Sequence, residues 1–299
     1  MADLGVIPIT AMNDSPAPSA VPPPLPPDFP PLAAAGRRRW RWWIHLSILT
    51  LLPLLALLST IPGVESTGPA LGRSTRGLLV VSAIQLFFFA VIFGLAWIFS
   101  RATWDDLLLR WRGGLWPIPL SVAYSIALRL GVGIAVMIPY AVFMAVRGAT
   151  PEAMERSAME NRPQVETLVD LAALRDDPAY FWLSITFVSF VLAGLREELW
   201  RAGFLAGLRA LWPRRFGSRA GQIVAAGVAA IFFGIAHVRM GMLAVAMTAV
   251  LGFGLGVIMV LHRSIWPAVL THGMFNAATF ALLPWLVEKL PELQKSLGP

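Results

Sequence analysis

Seven runs of apolar residues, most of them near the thickness of a bilayer core, constrain what this chain can fold into. They cover residues 44–61, 77–99, 116–146, 180–211, 220–237, 242–261 and 265–286. A helix needs about 20 apolar residues to cross the hydrocarbon. The first run is a little short and the third and fourth are long, so one re-entrant or broken segment would raise the count to eight. Lipid offers no hydrogen bonds to a backbone, and helices satisfy their own. The pattern therefore predicts an all-α fold, a polytopic transmembrane helix bundle of about seven to eight helices. Charged residues make up only 14% of the chain, against roughly 25% in soluble domains.

The flanks of these runs differ in character. Residues 1–36 are proline-rich ("SPAPSAVPPPLPPDFPPLAAAG") and are expected to be a disordered, extended cytoplasmic tail. Residues 37–178 hold the first membrane helices and a polar loop, 147–178, where Arg147, Arg156, Arg162 and Arg175 mix with Glu152, Glu155, Glu160, Glu166 and Asp170. Residues 287–299 read as a short C-terminal tail. The formal net charge of +7 is carried almost wholly by arginine. Such an excess orients loops and meets anionic headgroups of the lipid bilayer. The arginines form no aromatic-interleaved face, so no nucleic acid partner is expected. Arg37, Arg38, Arg39 and Arg41, then Arg101, Arg110 and Arg112, then Arg209, Arg214, Arg215 and Arg219 all fall on one side if the runs alternate. That side is expected to be the cytoplasm, with the N-terminus in it. The absence of cysteine excludes disulfides, thiol catalysis and Cys-ligated metals.

One stretch breaks the apolar pattern. "GLREELWRAGFLAGL", residues 194–208, packs Arg196, Glu197, Glu198 and Arg201 into six positions of a membrane run. A central Arg, Lys or Asp costs roughly 2.5 to 3.5 kcal/mol on insertion scales. Glu197 and Arg201 stand i,i+4 and Glu198 and Arg201 stand i,i+3, so an internally neutralised helix end accounts for any one pair. Two histidines argue for more. His237 ends "AAIFFGIAHV", and His272 lies in "WPAVLTHGMFNAATF" with Asn276 one turn later on the same face. His45 and His262 fall at expected interfaces and read as incidental. By helical rise, Glu197 lies ~22 Å from the Trp212 end of its helix and His237 ~27 Å from Arg219 on the returning one, so they can face each other. His272, at only ~12 Å from Arg263, fits only if its helix starts deep or tilts strongly. A polar intramembrane cavity is the expected meeting place.

These residues resemble the type II CAAX prenyl endopeptidase and bacteriocin-processing family of intramembrane proteases. Its pattern is Glu-Glu followed by Arg, then Phe-x-x-x-His, then His-x-x-x-Asn or Asp, on successive helices. Here Glu197-Glu198, Phe233 to His237 and His272 to Asn276 match in order, over roughly residues 179–286, the protease-like core. The family usually places three residues between the second Glu and Arg; "EELWRAG" has two. The shift is ~100° on a helix and is expected to turn Arg201 from the second glutamate toward the first. The resemblance implies an intramembrane endopeptidase acting on a membrane-associated protein or peptide, in a bacterial cytoplasmic (inner) membrane. With it, Glu197 reads as general base, His237 as a partner for the water, and His272 with Asn276 as oxyanion donors. Glu198 and Arg201 would orient the site, and Phe233 would pack its wall. Glu197, His237 and His272 would also make a three-ligand zinc site, although His-Glu-x-x-His is missing and Asn276 is a poor zinc ligand. Two other readings use the same cavity: a proton-coupled transporter drawing on Arg129 in mid-span, and a catalytically inactive membrane scaffold. The chain has no internal repeat to support the first.

Overall fold

The computed structural model describes residues 39–58 and 69–296. The proline-rich tail and its expected disorder lie outside the described residues. Among the described residues there is no strand, and each apolar run becomes a helix. These helices are α1 (Arg39–Leu58), α2 (Thr75–Ser100) and α3 (Pro117–Val146). In the polar loop stand two short ones, α4 (Pro151–Glu160) and α5 (Leu171–Asp176). The fourth run is continuous helix over Pro178–Leu211, in three parts: α6 (Pro178–Leu183), a π-helical stretch (Ser184–Leu195) and α7 (Arg196–Leu211). A four-residue turn of helix, α8 (Pro213–Phe216), leads to α9 (Arg219–Ile235), α10 (Met242–His262) and α11 (Trp266–Ser296). The last helix continues past residue 286, because charged residues end the apolar run without ending the helix.

Helix starts follow local chemistry. Ser74, Thr150, Asp170, Asp177 and Ser218 accept hydrogen bonds from backbone N–H groups of the turns that follow them. Pro117, Pro151, Pro178 and Pro213 stand in first turns, where their missing N–H costs nothing. Among the described residues four helical spans are long and apolar enough to cross a bilayer unaided: α2, α3, Pro178–Leu211 and α10. The chain is a multi-pass membrane protein.

Packing sorts the helices into an inner and an outer set. α7 lies inside, against α1, α9 and the π stretch, and α10 packs on α9 and α3. Their shared core includes Leu49, Phe204, Leu205, Ala225, Ala226, Ala229 and Met259. α2 and α3 form outer walls: only 17% and 11% of their apolar windows are buried, which leaves them facing lipid. Residues 101–116, between them, are not a simple surface loop. Leu107 and Leu108 are buried, and the carbonyls of Leu108, Leu109 and Arg110 accept from Ile265 N–H, Trp266 Nε1 and Ser264 Oγ. The start of α11 is therefore covered by this segment.

Candidate active site

α7 begins directly after the π stretch, so the register of that stretch sets which way the glutamates point. Within it, Ser189 Oγ donates to Ser184 O, five residues back, at 2.8 Å. A Cβ on Gly194 would lie 2.9 Å from Val269 O, so α11 approaches the π stretch at backbone distance. Wide helical turns of this kind are frequent at functional sites. Here the turn delivers Glu197 and Glu198 to two different environments.

Glu198 faces inward and is wholly buried. It pairs with Arg201, also wholly buried, and its Oε1 accepts from His272 Nδ1 at 3.0 Å. The expectation that Arg201 would turn to Glu197 is thus corrected: the i,i+3 partner takes it. The reason lies in α10, where Gly252 and Gly256 leave a groove. Cβ atoms built there would stand 3.4 Å from Arg201 Nη2 and 3.5 Å from its Cδ. The guanidinium also lies over Phe233, its Cζ 4.8 Å from the ring centroid. That contact offsets part of the desolvation.

Glu197 lies ~100° round the helix and faces a cavity of about 510 Å³. Its side chain is 20% exposed. Oε1 accepts from Arg196 Nη2 at 2.9 Å, and Arg196 Nη1 in turn donates to Gln85 Oε1 on α2 at 2.7 Å. Oε2 is 3.9 Å from His272 Nε2, beyond a direct hydrogen bond. His272 thus sits between the two carboxylates. His237, in the turn after α9, also lines the cavity; its Nδ1 donates to Phe233 O at 2.7 Å. That bond leaves Nε2 as the nitrogen with a free lone pair. Phe233 packs at 4.8 Å from the His237 ring and 6.0 Å from His272, forming the wall between the two layers. Leu52, Ile84, Phe88 and Trp200 give the cavity its apolar sides.

The site residues therefore divide. Glu197, His237 and Phe233 meet at the cavity, while Glu198, Arg201 and His272 lie behind it. Asn276 is half-buried on α11, off the cavity wall and without a side-chain hydrogen bond among the described residues. Among the described residues no three His, Asp or Glu side chains gather as a metal would require. His45 is not incidental: it is fully buried, with Nδ1 against Ala96 O and Nε2 against Gly203 O, joining α1, α2 and α7. Gln85 was not foreseen, and Arg196, noted among the charges of the run, had been given no role. A lone glutamine in α2 carries no motif, whereas the Gly-x-x-x-Gly at Gly252 and Gly256 was a readable sign of close packing.

Residues 179–278 match a family model, Rce1-like, described as type II CAAX prenyl endopeptidase Rce1-like. Over these helices, about a third of the chain, the sequence is similar to that family. The match begins at α6 and ends in α11, so it takes in the Glu pair, Arg201, Phe233, His237, His272 and Asn276. That family is one of proteases, and the likeness supports an intramembrane CAAX-type endopeptidase in general. No curated protein and no solved structure matches the chain.

Proposed function

We propose that the cavity hydrolyses a peptide bond of a membrane-associated protein or peptide with a water activated by Glu197. The observation that carries this reading is the split environment of the two glutamates. One carboxylate is buried and neutralised; the other faces a cavity it shares with a histidine. In the reading, Glu197 takes a proton from the water while His237 Nε2 accepts the water's second O–H and aims the oxygen. Hydroxide adds to the scissile carbonyl, the C–N bond breaks, and the proton on Glu197 passes to the departing amine. His272, held at Nδ1 by Glu198, turns its Nε2 edge toward the oxyanion, joined by Asn276 from the next turn of α11. The family's His-x-x-x-Asn pattern supports that pair, and catalytic hydrogen bonds often close only when substrate is bound.

Glu198 and Arg201 act as positioning residues for His272. The one-residue shift of Arg201 was the feature that favoured an inactive scaffold. Its pairing with Glu198 removes that argument. The reading needs no metal, and we assign the protein to a bacterial cytoplasmic membrane with the N-terminus inside. The test is cleavage of a prenylated CAAX peptide by the protein in liposomes. Glu197→Gln is expected to lower kcat by about 10³-fold or more, and a zinc chelator to leave the rate unchanged. Full activity in Glu197→Gln would remove the glutamate from its role; loss on chelation, restored by zinc, would replace the mechanism with a metal one.

A further inference from the structure

Arg129 stands near the middle of α3 and has no part in the reaction above. Twelve residues separate it from Pro117, ~18 Å of helical rise, which places it close to the bilayer midplane. A charge at that depth is expensive and is normally paired. Its contacts are all neutral: Nη2 donates to Phe275 O at 2.7 Å and to Thr279 Oγ1 at 3.2 Å, and Cζ lies 4.3 Å from the Phe275 ring centroid. No carboxylate pairs with it among the described residues. The side chain is half-buried on the least covered of the four spans, beside exposed Ile126, Leu130 and Ile134.

One turn further along the same face is Gly133, and a Cβ added there would meet nothing within 4 Å. Glycine inside a helix is destabilising, and nothing among the described residues uses the space it leaves. Small residues on a membrane helix let another helix approach closely. An uncompensated cation beside an open glycine thus fits a helix carrying an anion. A second copy of this chain does not supply one. Apart from Glu288 and Glu292 at the far end of α11, the carboxylates of the described membrane helices are Glu197 and Glu198, already engaged with Arg196, Arg201 and His272. Lipid headgroups lie well away from the midplane. We propose that Arg129 and Gly133 form the docking point for a transmembrane helix of another protein that carries a carboxylate near its centre.

The test uses the full chain in nanodiscs, with a dye on Val146→Cys, and a labelled Leu/Ala helix of about 20 residues with either Glu or Gln at its centre. Energy transfer reads binding without any cleavage, and a Glu197→Gln form repeats it with hydrolysis removed, so the outcome is separate from that of the proposed reaction. The Glu helix is expected to bind about tenfold more tightly than the Gln helix. Arg129→Met should abolish the difference, Arg129→Lys should keep it, and Gly133→Leu should weaken both peptides. Equal binding of the two helices by the otherwise unaltered protein, a comparison that needs no change at Arg129, would overturn the proposal. So would a Glu preference that survives in Arg129→Met.

Discussion

Glu198, Arg201 and His272 form a buried cluster whose desolvation is offset only while all its members are present. Removing one charge leaves another unpaired. Arg201→Met is therefore expected to cost about 3 to 5 kcal/mol, seen as a lowered unfolding midpoint, and Glu198→Gln added to it should recover much of the loss. A double-mutant cycle with no coupling would contradict the pairing. Asn276→Ala is expected to lower kcat by about 10²- to 10³-fold at nearly unchanged stability; an unchanged kcat would remove it from the oxyanion site. At this scale the sequence was informative about which residues matter and less so about who pairs with whom. Helical spacing offered Arg201 two glutamates. The choice was made by the groove at Gly252 and Gly256, on a helix some fifty residues away. His45 was misread for a similar reason: the two carbonyls that hold it belong to α2 and α7.

Among the elements, the seven apolar runs were legible because bilayer thickness and backbone hydrogen bonding leave a chain few alternatives. The π stretch was not legible, since residues 184–195 are as apolar as the residues before them and carry nothing that marks a wider turn. Nor was the covered start of α11, which depends on residues 101–116 folding back under it. Both features govern the site, because they bring the glutamates of α7 and His272 of α11 to one depth. Gly194→Ala tests this link. Its Cβ would press on the backbone of Val269, so the two helices must part. A loss of about 1 to 3 kcal/mol is expected, with a fall in activity larger than the stability change explains at the assay temperature. Full activity would mean that the close approach of these helices is not needed to set the site.

For the whole molecule, a single crossing, Pro178–Leu211, separates the polar loop after α3 from the arginine-rich turn before α9. The chain has no cysteine, so introduced ones label without background. Met159→Cys and Ser218→Cys are expected to react with an impermeant maleimide from opposite faces of the membrane, Ser218→Cys from the cytoplasmic face. Labelling of both from one face would contradict the crossing. The central claim is that the bundle holds a water between Glu197 and His237 and brings a peptide bond to it. The most direct measurement is the experimental structure of the Glu197→Gln protein with an uncleaved peptide bound. The account predicts the scissile carbonyl carbon ~3 to 3.5 Å from a water touching both side chains, with His272 Nε2 and Asn276 turned to the carbonyl oxygen. A scissile bond bound elsewhere, with residues 197 and 237 sharing no water, would contradict it.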